Sequence, residues 1–276
     1  MHLRQVRKTC LVLAAVSAVV LASAPEAVAG ESAVNIAGRQ RMLSQRIVKA
    51  YCQIGLGVLP SASRTQLNDA IALFESQLAA LEPEMPGADA RGALRALERS
   101  WQPFKSLALG PVARDRARQL HARDAEVVAA AQRLTELVEA AAPAATGALV
   151  NLAGRQRMLS QRLAKNYMLQ AWSAQSPDLR AETDRARAEF DAALARLRQA
   201  PQNTPEIGRE PAAVELQWRW FEGALALEGA HAYKLLVADA SESILNSMDR
   251  VTQLYERLAP ASAVPQPIVN QRRNER

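Results

Sequence analysis

The most constraining feature of the sequence is a thirteen-residue segment that occurs twice. VNIAGRQRMLSQR spans residues 34–46, and VNLAGRQRMLSQR spans residues 150–162. The last ten residues of the two copies are identical, and the copies lie 116 positions apart. Helix packing requires only apolar side chains of suitable size, so it does not explain why the same polar residues appear twice. The repetition therefore indicates an internal duplication in which the polar residues have a role of their own.

A helical wheel separates an apolar stripe of the motif from one distinctive arginine. At 100° per residue, Ile36, Leu43 and Ile47 fall on one side and are expected in the core, as are the equivalent leucines of the second copy. Arg41 lies elsewhere, and its neighbours one turn away are small or polar: Ala37, Gly38, Ser44 and Gln45. Because small residues allow another backbone to come close, we expect Arg41 at a helix–helix contact, partly removed from water. Arg157 has the same surroundings: Ala153, Gly154, Ser160 and Gln161.

A buried guanidinium group needs an anion or several acceptors, and two kinds of partner are open. The first is structural and consists of Asp or Glu side chains on neighbouring helices. The second is functional and consists of a small anion held between the two motif helices. Guanidinium suits such a ligand because it forms planar, bidentate hydrogen bonds with oxyanions and stays charged.

The duplication extends beyond the motif and predicts an all-α protein. Equivalent residues recur at an offset of 116 or 117 up to the end of each copy, in the pairs Lys49 and Lys165, Tyr51 and Tyr167, Phe74 and Phe190, Trp101 and Trp218, and Glu139 and Glu256. Apolar residues at helical spacing and short breaks predict four helices in each copy. We therefore expect two tandem up-down four-helix bundles, at residues 30–143 and 144–259.

The breaks between helices follow from proline and glycine. In the first copy we expect helices at about residues 32–56, from just after Ser63 to residue 81, at 89–109 and at 112–142, with Pro103 bending the third. Pro143 and Gly147 are expected to form the junction between the copies. In the second copy, a loop at residues 201–211 should separate the second and third helices, and a loop near Gly229 the third and fourth.

The two ends of the chain have compositions of their own. Residues 1–29 are typical of a secretory signal, with a basic start, an apolar run at 11–22 and a small-x-small site ending at Ala29. Cleavage after Ala24 and an uncleaved anchor are the alternatives, although the apolar run is short for a membrane span. Cleavage near Ala29 would place the mature protein in the periplasm. Residues 260–276 are expected to form a disordered basic tail.

Composition excludes several other classes of function. The formal charge is +6, and removal of residues 1–29 would subtract +2 and leave +4, which suits an anionic ligand but is too diffuse for nucleic acid. Only Cys52 would remain in the mature chain, so no intrachain disulfide is expected, and a buried position is the default for it. Glu228 and His231 have the spacing of a di-iron site, but the second such pair is missing, so we predict no metal and no cofactor. No catalytic arrangement is present, and no enzyme activity is predicted.

The motif resembles the sensor domain at the N-terminus of type IV pilus methyl-accepting chemotaxis transducers (PilJ-like). It is similar, more loosely, to the periplasmic domain of NarX-type nitrate/nitrite sensor kinases. In the nitrate sensors, the pattern Ala-Gly-x-x-Arg-Met-x-Ser-x-Arg lies in the first helix of a four-helix bundle. There, the arginine before the methionine, one from each subunit, binds nitrate at the dimer interface. Carried over to this chain, that arginine is Arg41 in one copy and Arg157 in the other.

The resemblance implies a set of ligand-binding residues around these two arginines. The set comprises Arg41, Arg157, Gly38, Gly154, Arg46, Arg162, Gln45, Gln161, Ser44 and Ser160, with the two glycines offering close backbone approach. Gln45 and Gln161 stand where the nitrate sensors tend to carry Tyr. That difference favours the pilus branch, whose ligand the resemblance does not supply.

The main functional hypothesis is a periplasmic sensor module that binds a small planar oxyanion between its two motif helices. Nitrate and nitrite are the first candidates by resemblance, and the tandem copies would supply Arg41 and Arg157 across an internal pseudo-twofold axis. The alternative is an adaptor without a small ligand, whose motif helix docks on a membrane chemoreceptor or sensor kinase. A purely structural duplicated bundle would instead show motif helices that face away from each other.

Overall fold

The chain folds entirely into helices over the part that the structure describes. A computed structural model of the protein describes residues 31–142, 144–173, 176–227 and 231–258. These residues form eight helices and no strand, which confirms the all-α prediction: α1 Ala33–Gly55, α2 Pro60–Leu81, α3 Ala88–Ala108, α4 Arg114–Ala141, α5 Ala144–Trp172, α6 Pro177–Arg198, α7 Pro205–Leu225 and α8 His231–Leu258. A short 3₁₀ turn, Glu82–Glu84, follows α2. None of the described helices is long and apolar enough to cross a membrane.

Side-chain caps fix the starts of several helices. The Ser32 hydroxyl accepts a hydrogen bond from the backbone N–H of Asn35 at the start of α1. Ser176 does the same for Leu179 in α6, and Thr204 for Ile207 in α7. Each cap satisfies one of the N–H groups that the first turn of a helix leaves without a partner.

Three predicted boundaries are wrong, and each error comes from reading a residue as a helix breaker. The loop predicted at residues 201–211 ends at Thr204, because Thr204 caps α7 and Pro205 occupies its first turn; Pro211 lies inside the helix. α2 begins at Pro60 rather than after Ser63, again with proline in the first turn. Gly147 lies within α5 instead of in the junction between the copies. Pro143, Gly229, the predicted signal segment and the predicted tail lie outside the described residues.

The two motif helices form the centre of the molecule. The most extensive contact between any two described helices joins α1 to α5, and residues 31–258 belong to one compact unit. α1 also packs against α2 and α4, and α5 packs against α6 and α8. α3 and α7 pack mainly on the last helix of their own copy. The boundaries at 30–143 and 144–259 stay predictions, since the α1–α5 contact joins the copies.

α1 and α5 run parallel. Near their N-terminal ends Arg41 hydrogen-bonds to Asn151, and Arg157 to Asn35. At the other end, the ring of Trp172 lies against Gly55, in space that a larger side chain at Gly55 would fill. The same ends of the two helices therefore meet, as expected when two copies of one up-down bundle face each other.

The aromatic residues show that the duplication reaches the outer helices. Trp101 stacks on Phe74 with ring centroids 3.8 Å apart, and Trp218 stacks on Phe190 at 4.1 Å. The indole N–H of Trp101 donates to Glu75 at 3.3 Å, and that of Trp218 donates to the equivalent Asp191 at 2.7 Å. The repeated tyrosines are also equivalent, because Tyr51 donates to the carbonyl of Pro111 and Tyr167 to that of Leu227, each at 2.7 Å. They tie each motif helix to the segment before the last helix of its copy.

Candidate functional site

The motif helices are mostly buried, so most of their polar residues must find partners inside the protein. Between Val34 and Gln53, every residue of α1 is buried except Ile36 and Arg46, which are partly exposed. The side chains of both Arg41 and Arg157 have zero relative exposure. An unpaired buried polar group costs free energy, and a buried charge costs more. Each of the two arginines must therefore have hydrogen-bond acceptors within the protein.

Arg41 is surrounded by neutral acceptors. Its Nη1 donates to the side-chain oxygen of Gln132 on α4, and its Nη2 donates to that of Asn151 on α5 at 2.7 Å. Its Nε donates to the carbonyl of Gly38 at 3.3 Å. In the described part of the chain, no carboxylate lies within ion-pair distance of Arg41. This guanidinium group keeps its positive charge without a direct counter-ion.

Arg157 has the same geometry with one difference of charge. Its Nη2 donates to the side-chain oxygen of Asn35 on α1 at 2.5 Å. Its Nη1 donates to a carboxylate, that of Asp249 on α8, which occupies the position equivalent to Gln132. Asp249 also accepts a hydrogen bond from Arg39 at 3.2 Å. The second arginine is thus already neutralised within the protein.

The two arrangements are related by the internal pseudo-twofold axis. Each arginine reaches across to the asparagine of the other copy, and each asparagine then donates to a glutamate on the last helix. Asn35 donates to Glu256 at 3.0 Å, and Asn151 donates to the equivalent Glu139 at 2.5 Å. The exchange of arginine and asparagine links the copies by hydrogen bonds that neither copy could make alone.

Electrostatics distinguish the two arginines further. Burial lowers the pKa of Arg41 to about 9, and the positive charges of Arg155 and Arg157 contribute to the decrease, while Glu139 opposes it. The group therefore remains protonated at neutral pH, in surroundings that are locally positive. Burial also lowers the pKa of Arg157, but Asp249 acts in the opposite direction. A locally positive, buried guanidinium group without a carboxylate attracts an anion.

The motif glycines make room for the arginines of their own copy. A Cβ on Gly38 would lie 3.0 Å from Nη2 of Arg41, and one on Gly154 would lie 3.1 Å from Nη2 of Arg157. Each glycine therefore gives clearance for the guanidinium group of its own copy, and the close approach of a neighbouring backbone stays a prediction. Both glycines remain part of the arginine sites.

The other residues predicted to bind a ligand have partners in the protein. The hydroxyls of Ser44 and Ser160 donate to the carbonyls of Arg41 and Arg157 at 3.0 and 2.9 Å, within their own helices. Arg46 pairs with Glu242 at 2.5 Å, and Arg162 lies 3.7 Å from Glu182. These two arginines are partly exposed and lie outside the central Arg41–Arg157 layer.

Gln45 and Gln161 belong to a second layer that also crosses between the copies. Gln45 donates to Asp124 at 2.8 Å, and Asp124 forms an ion pair with the buried Lys165 of the other copy at 3.0 Å. Gln161 donates to the carbonyl of Ser241 at 3.0 Å, and the hydroxyl of Ser241 accepts from the buried Lys49 at 3.2 Å. Lys49 also pairs with Glu242. Both lysines of this layer therefore have carboxylate partners.

Several residues of the site were missed by sequence reasoning. Asn35 and Asn151 could have been found, because they are identical in both copies, as are Glu139 and Glu256. Gln132 and Asp249 gave no signal, since the two copies differ at that position. Among the described residues, no three His, Cys, Asp or Glu side chains come together as a metal site would require. Cys52 is buried, and burial raises the pKa of its thiol to about 12.

Comparison with known families bears on both copies. The sequence model for the N-terminal domain of type IV pili methyl-accepting chemotaxis transducers matches residues 26–147 and again residues 144–240. The chain belongs to this family. Its two copies are therefore domains of the sensor type found in chemotaxis transducers, a type that is typically not enzymatic. No curated protein and no solved structure matches the chain.

The ion pair between Asp249 and Arg157 should be visible in the pH dependence of stability. Burial alone would raise the pKa of Asp249, but Arg157 and Arg39 hold it below its ordinary value of 3.8. A lowered folded-state pKa gives stability that is present above the unfolded pKa and is lost as the pH falls through the folded pKa. We expect Asp249→Asn to lower the free energy of unfolding at pH 7 by about 2–3 kcal/mol, less than for a fully buried pair since Asp249 is partly exposed.

Urea denaturation at pH 7 and at pH 3.5 measures this effect. The difference in the free energy of unfolding between the wild type and Asp249→Asn should be smaller at the lower pH. Asp115→Asn is a matched control, because Asp115 pairs with Arg118 on the exposed surface of α4 and should change stability by about 0.5 kcal/mol or less. If Asp249→Asn lowered the free energy of unfolding equally at both pH values, the ion-pair account would be contradicted.

Proposed function

We propose that the protein is a periplasmic sensor module that binds a small planar oxyanion at the motif arginines, Arg41 and Arg157. Family membership supports the sensor class, and the looser resemblance to the NarX-type sensors makes nitrate and nitrite the first candidates. Of the other motif residues, Gly38, Gly154, Ser44 and Ser160 contact the two arginines, whereas Gln45, Gln161, Arg46 and Arg162 bind the neighbouring helices.

The observation that carries this proposal is the set of neutral acceptors around Arg41. Nη1 and Nη2 of its guanidinium group each donate to an amide oxygen, those of Gln132 and Asn151. Two oxygens of one oxyanion could take the same two places, in the bidentate geometry that guanidinium favours. A charged acceptor forms stronger hydrogen bonds than a neutral amide, so an anion can replace these amides at a buried cation.

The two residues that supply these amides reach the protein surface, and an anion could approach Arg41 from that side. Gln132 and Asn151 are partly exposed, although Arg41 itself is not. Displacing the amides would break the hydrogen bonds of Arg41 to α4 and α5. Binding would therefore alter the contacts between α1, α4 and α5, and a shift between such helices is one way for a sensor domain to transmit a signal.

Isothermal titration calorimetry with sodium nitrate and sodium nitrite tests the proposal. The wild type should release or absorb heat on binding, with sodium chloride at equal ionic strength as the reference, and Arg41→Ala/Arg157→Ala should lose the binding. Arg41→Lys/Arg157→Lys keeps the charge but removes the planar pair of donors, so it should bind more than tenfold more weakly. Arg123→Ala is the control for an exposed arginine. Unchanged binding in a folded double variant would refute the assignment.

An adaptor function without a small ligand is the second candidate, and an exposed apolar face favours it. Trp220 is 76% exposed and Leu216 is 64% exposed, one turn apart on α7. The equivalent residues of the first copy are Pro103 and Arg99, so the face is specific to the second copy. The motif helices are covered by each other and by neighbouring helices, so α7 rather than α1 or α5 would dock on a membrane chemoreceptor or sensor kinase.

A pull-down with the purified periplasmic domain of a type IV pilus chemotaxis transducer tests this second candidate. The wild type should retain the receptor domain, and Trp220→Ser should retain less because it removes apolar contact area from the interface. Leu73→Ser on α2 is a control at another exposed apolar residue, 37% exposed. Equal retention by all three proteins would remove α7 as the docking face.

A further inference from the structure

The two arginine sites are equivalent by duplication but differ in charge and in access. We propose that Arg41 alone accepts the anion, and that Asp249 serves as a permanent internal anion in the equivalent place at Arg157. This inference rests on the proposed oxyanion-binding function and decides which of the two arginines performs it. One chain would therefore bind one anion.

The charge difference lies at a single pair of equivalent residues. Gln132 of α4 and Asp249 of α8 each contact Nη1 of the motif arginine in their own copy. Asp249 brings a carboxylate to Arg157, whereas Gln132 brings a neutral amide to Arg41. An incoming anion would have to displace a charged partner at Arg157 but only a neutral one at Arg41.

The access difference lies at the segment before each motif. Ser32 binds Glu256 through both its backbone N–H, at 2.8 Å, and its hydroxyl, at 2.6 Å. Glu31 pairs with Arg39 at 2.5 Å, so residues 31 and 32 close the side of the second arginine site. Their equivalents in the second copy are Gly147 and Ala148, which have no polar side chain that could form such contacts.

The two asparagines show the effect of this closure. Asn35, the acceptor for Arg157, is only 1% exposed, whereas Asn151, the acceptor for Arg41, is partly exposed. The site whose asparagine is more exposed is thus also the site without a carboxylate. The Arg41 site thus has the more exposed asparagine and no carboxylate, and the Arg157 site has the buried asparagine and a carboxylate. This is expected if one copy kept a ligand site and the other replaced its ligand by a side chain.

The electrostatic surroundings of Arg41 suit an anion. Arg155, Arg157 and Arg162 all act on Arg41 in the direction that lowers its pKa, so each contributes positive potential at this position. Glu139 acts in the opposite direction and raises the pKa of Arg41, and the side chain of Asn151 lies between the two groups. A planar anion with two oxygens on one edge would match Nη1 and Nη2 of Arg41.

Two variants of Gln132 separate charge from shape. Gln132→Asp places at Arg41 the carboxylate that Asp249 places at Arg157. Gln132→Asn introduces a side chain of the same length as Asp but without the charge. Titration of each variant with sodium nitrate and sodium nitrite, after thermal melts have shown that it is folded, gives affinity and stoichiometry. The wild type should bind one anion per chain, Gln132→Asn should bind within about threefold of it, and Gln132→Asp should bind more than tenfold more weakly.

The outcomes distinguish this inference from the function on which it rests. Two anions per chain, or equal binding by Gln132→Asp and Gln132→Asn, would overturn the assignment to Arg41 and leave oxyanion binding in place. No binding of either anion by the wild type would remove the proposed function and this inference with it. Arg41→Lys should weaken binding more than Arg157→Lys does; the reverse order would assign the anion to Arg157.

Discussion

The structure depends on two buried guanidinium groups at the contact between two parallel helices. A charge in this position is tolerated only if acceptors surround it, and each arginine takes one acceptor from the last helix of its own copy and one from the motif helix of the other copy. Arg41 therefore needs Asn151, and Arg157 needs Asn35. Both hydrogen bonds form in the parallel orientation of α1 and α5, the two helices against which α2, α4, α6 and α8 pack. The polar residues of the motif thus explain why the copies form one unit.

Placing both copies in one chain has a consequence that a symmetric dimer could not have. In a dimer of identical subunits the two arginine sites must have the same residues, whereas in a duplicated chain each can change separately. The lysine layer has kept a carboxylate for both lysines, Asp124 for Lys165 and Glu242 for Lys49. The arginine layer has a carboxylate on one side only, at Asp249. An unequal distribution of charge around two equivalent arginines is a feature that packing alone does not require.

Much of the fold could be predicted from the sequence because the duplication and the helical periodicity agree. The two copies of the motif, the repeated Phe–Trp pairs and the apolar spacing all indicated helical bundles with equivalent residues. Proline was the source of most boundary errors, since Pro60 and Pro205 begin helices and Pro211 lies inside one. A proline in the first turn of a helix loses no hydrogen bond, and the sequence alone does not distinguish that position from a loop.

The site was predictable only in part. The wheel identified Arg41 and Arg157 because identical small residues surround both. It could not show that α1 is mostly buried, since that depends on helices distant in the sequence. It also could not show that the glycines clear space for the guanidinium groups, or that Gln132 and Asp249 contact them. The difference between these last two residues decides the charge of each site. Its importance follows only from the contacts that Gln132 makes with Arg41 and Asp249 makes with Arg157.

A double-mutant cycle across the two copies tests the central claim most directly. Free energies of unfolding would be measured for Arg41→Gln, Asn151→Ala and the double variant, with Arg41→Gln, Asn35→Ala and their double variant as the comparison within one copy. If each arginine depends on the asparagine of the other copy, Arg41 and Asn151 should show a coupling energy of about 1 kcal/mol or more, and Arg41 and Asn35 should be additive within about 0.5 kcal/mol. Additivity between Arg41 and Asn151, with coupling between Arg41 and Asn35, would contradict the crossed, parallel arrangement.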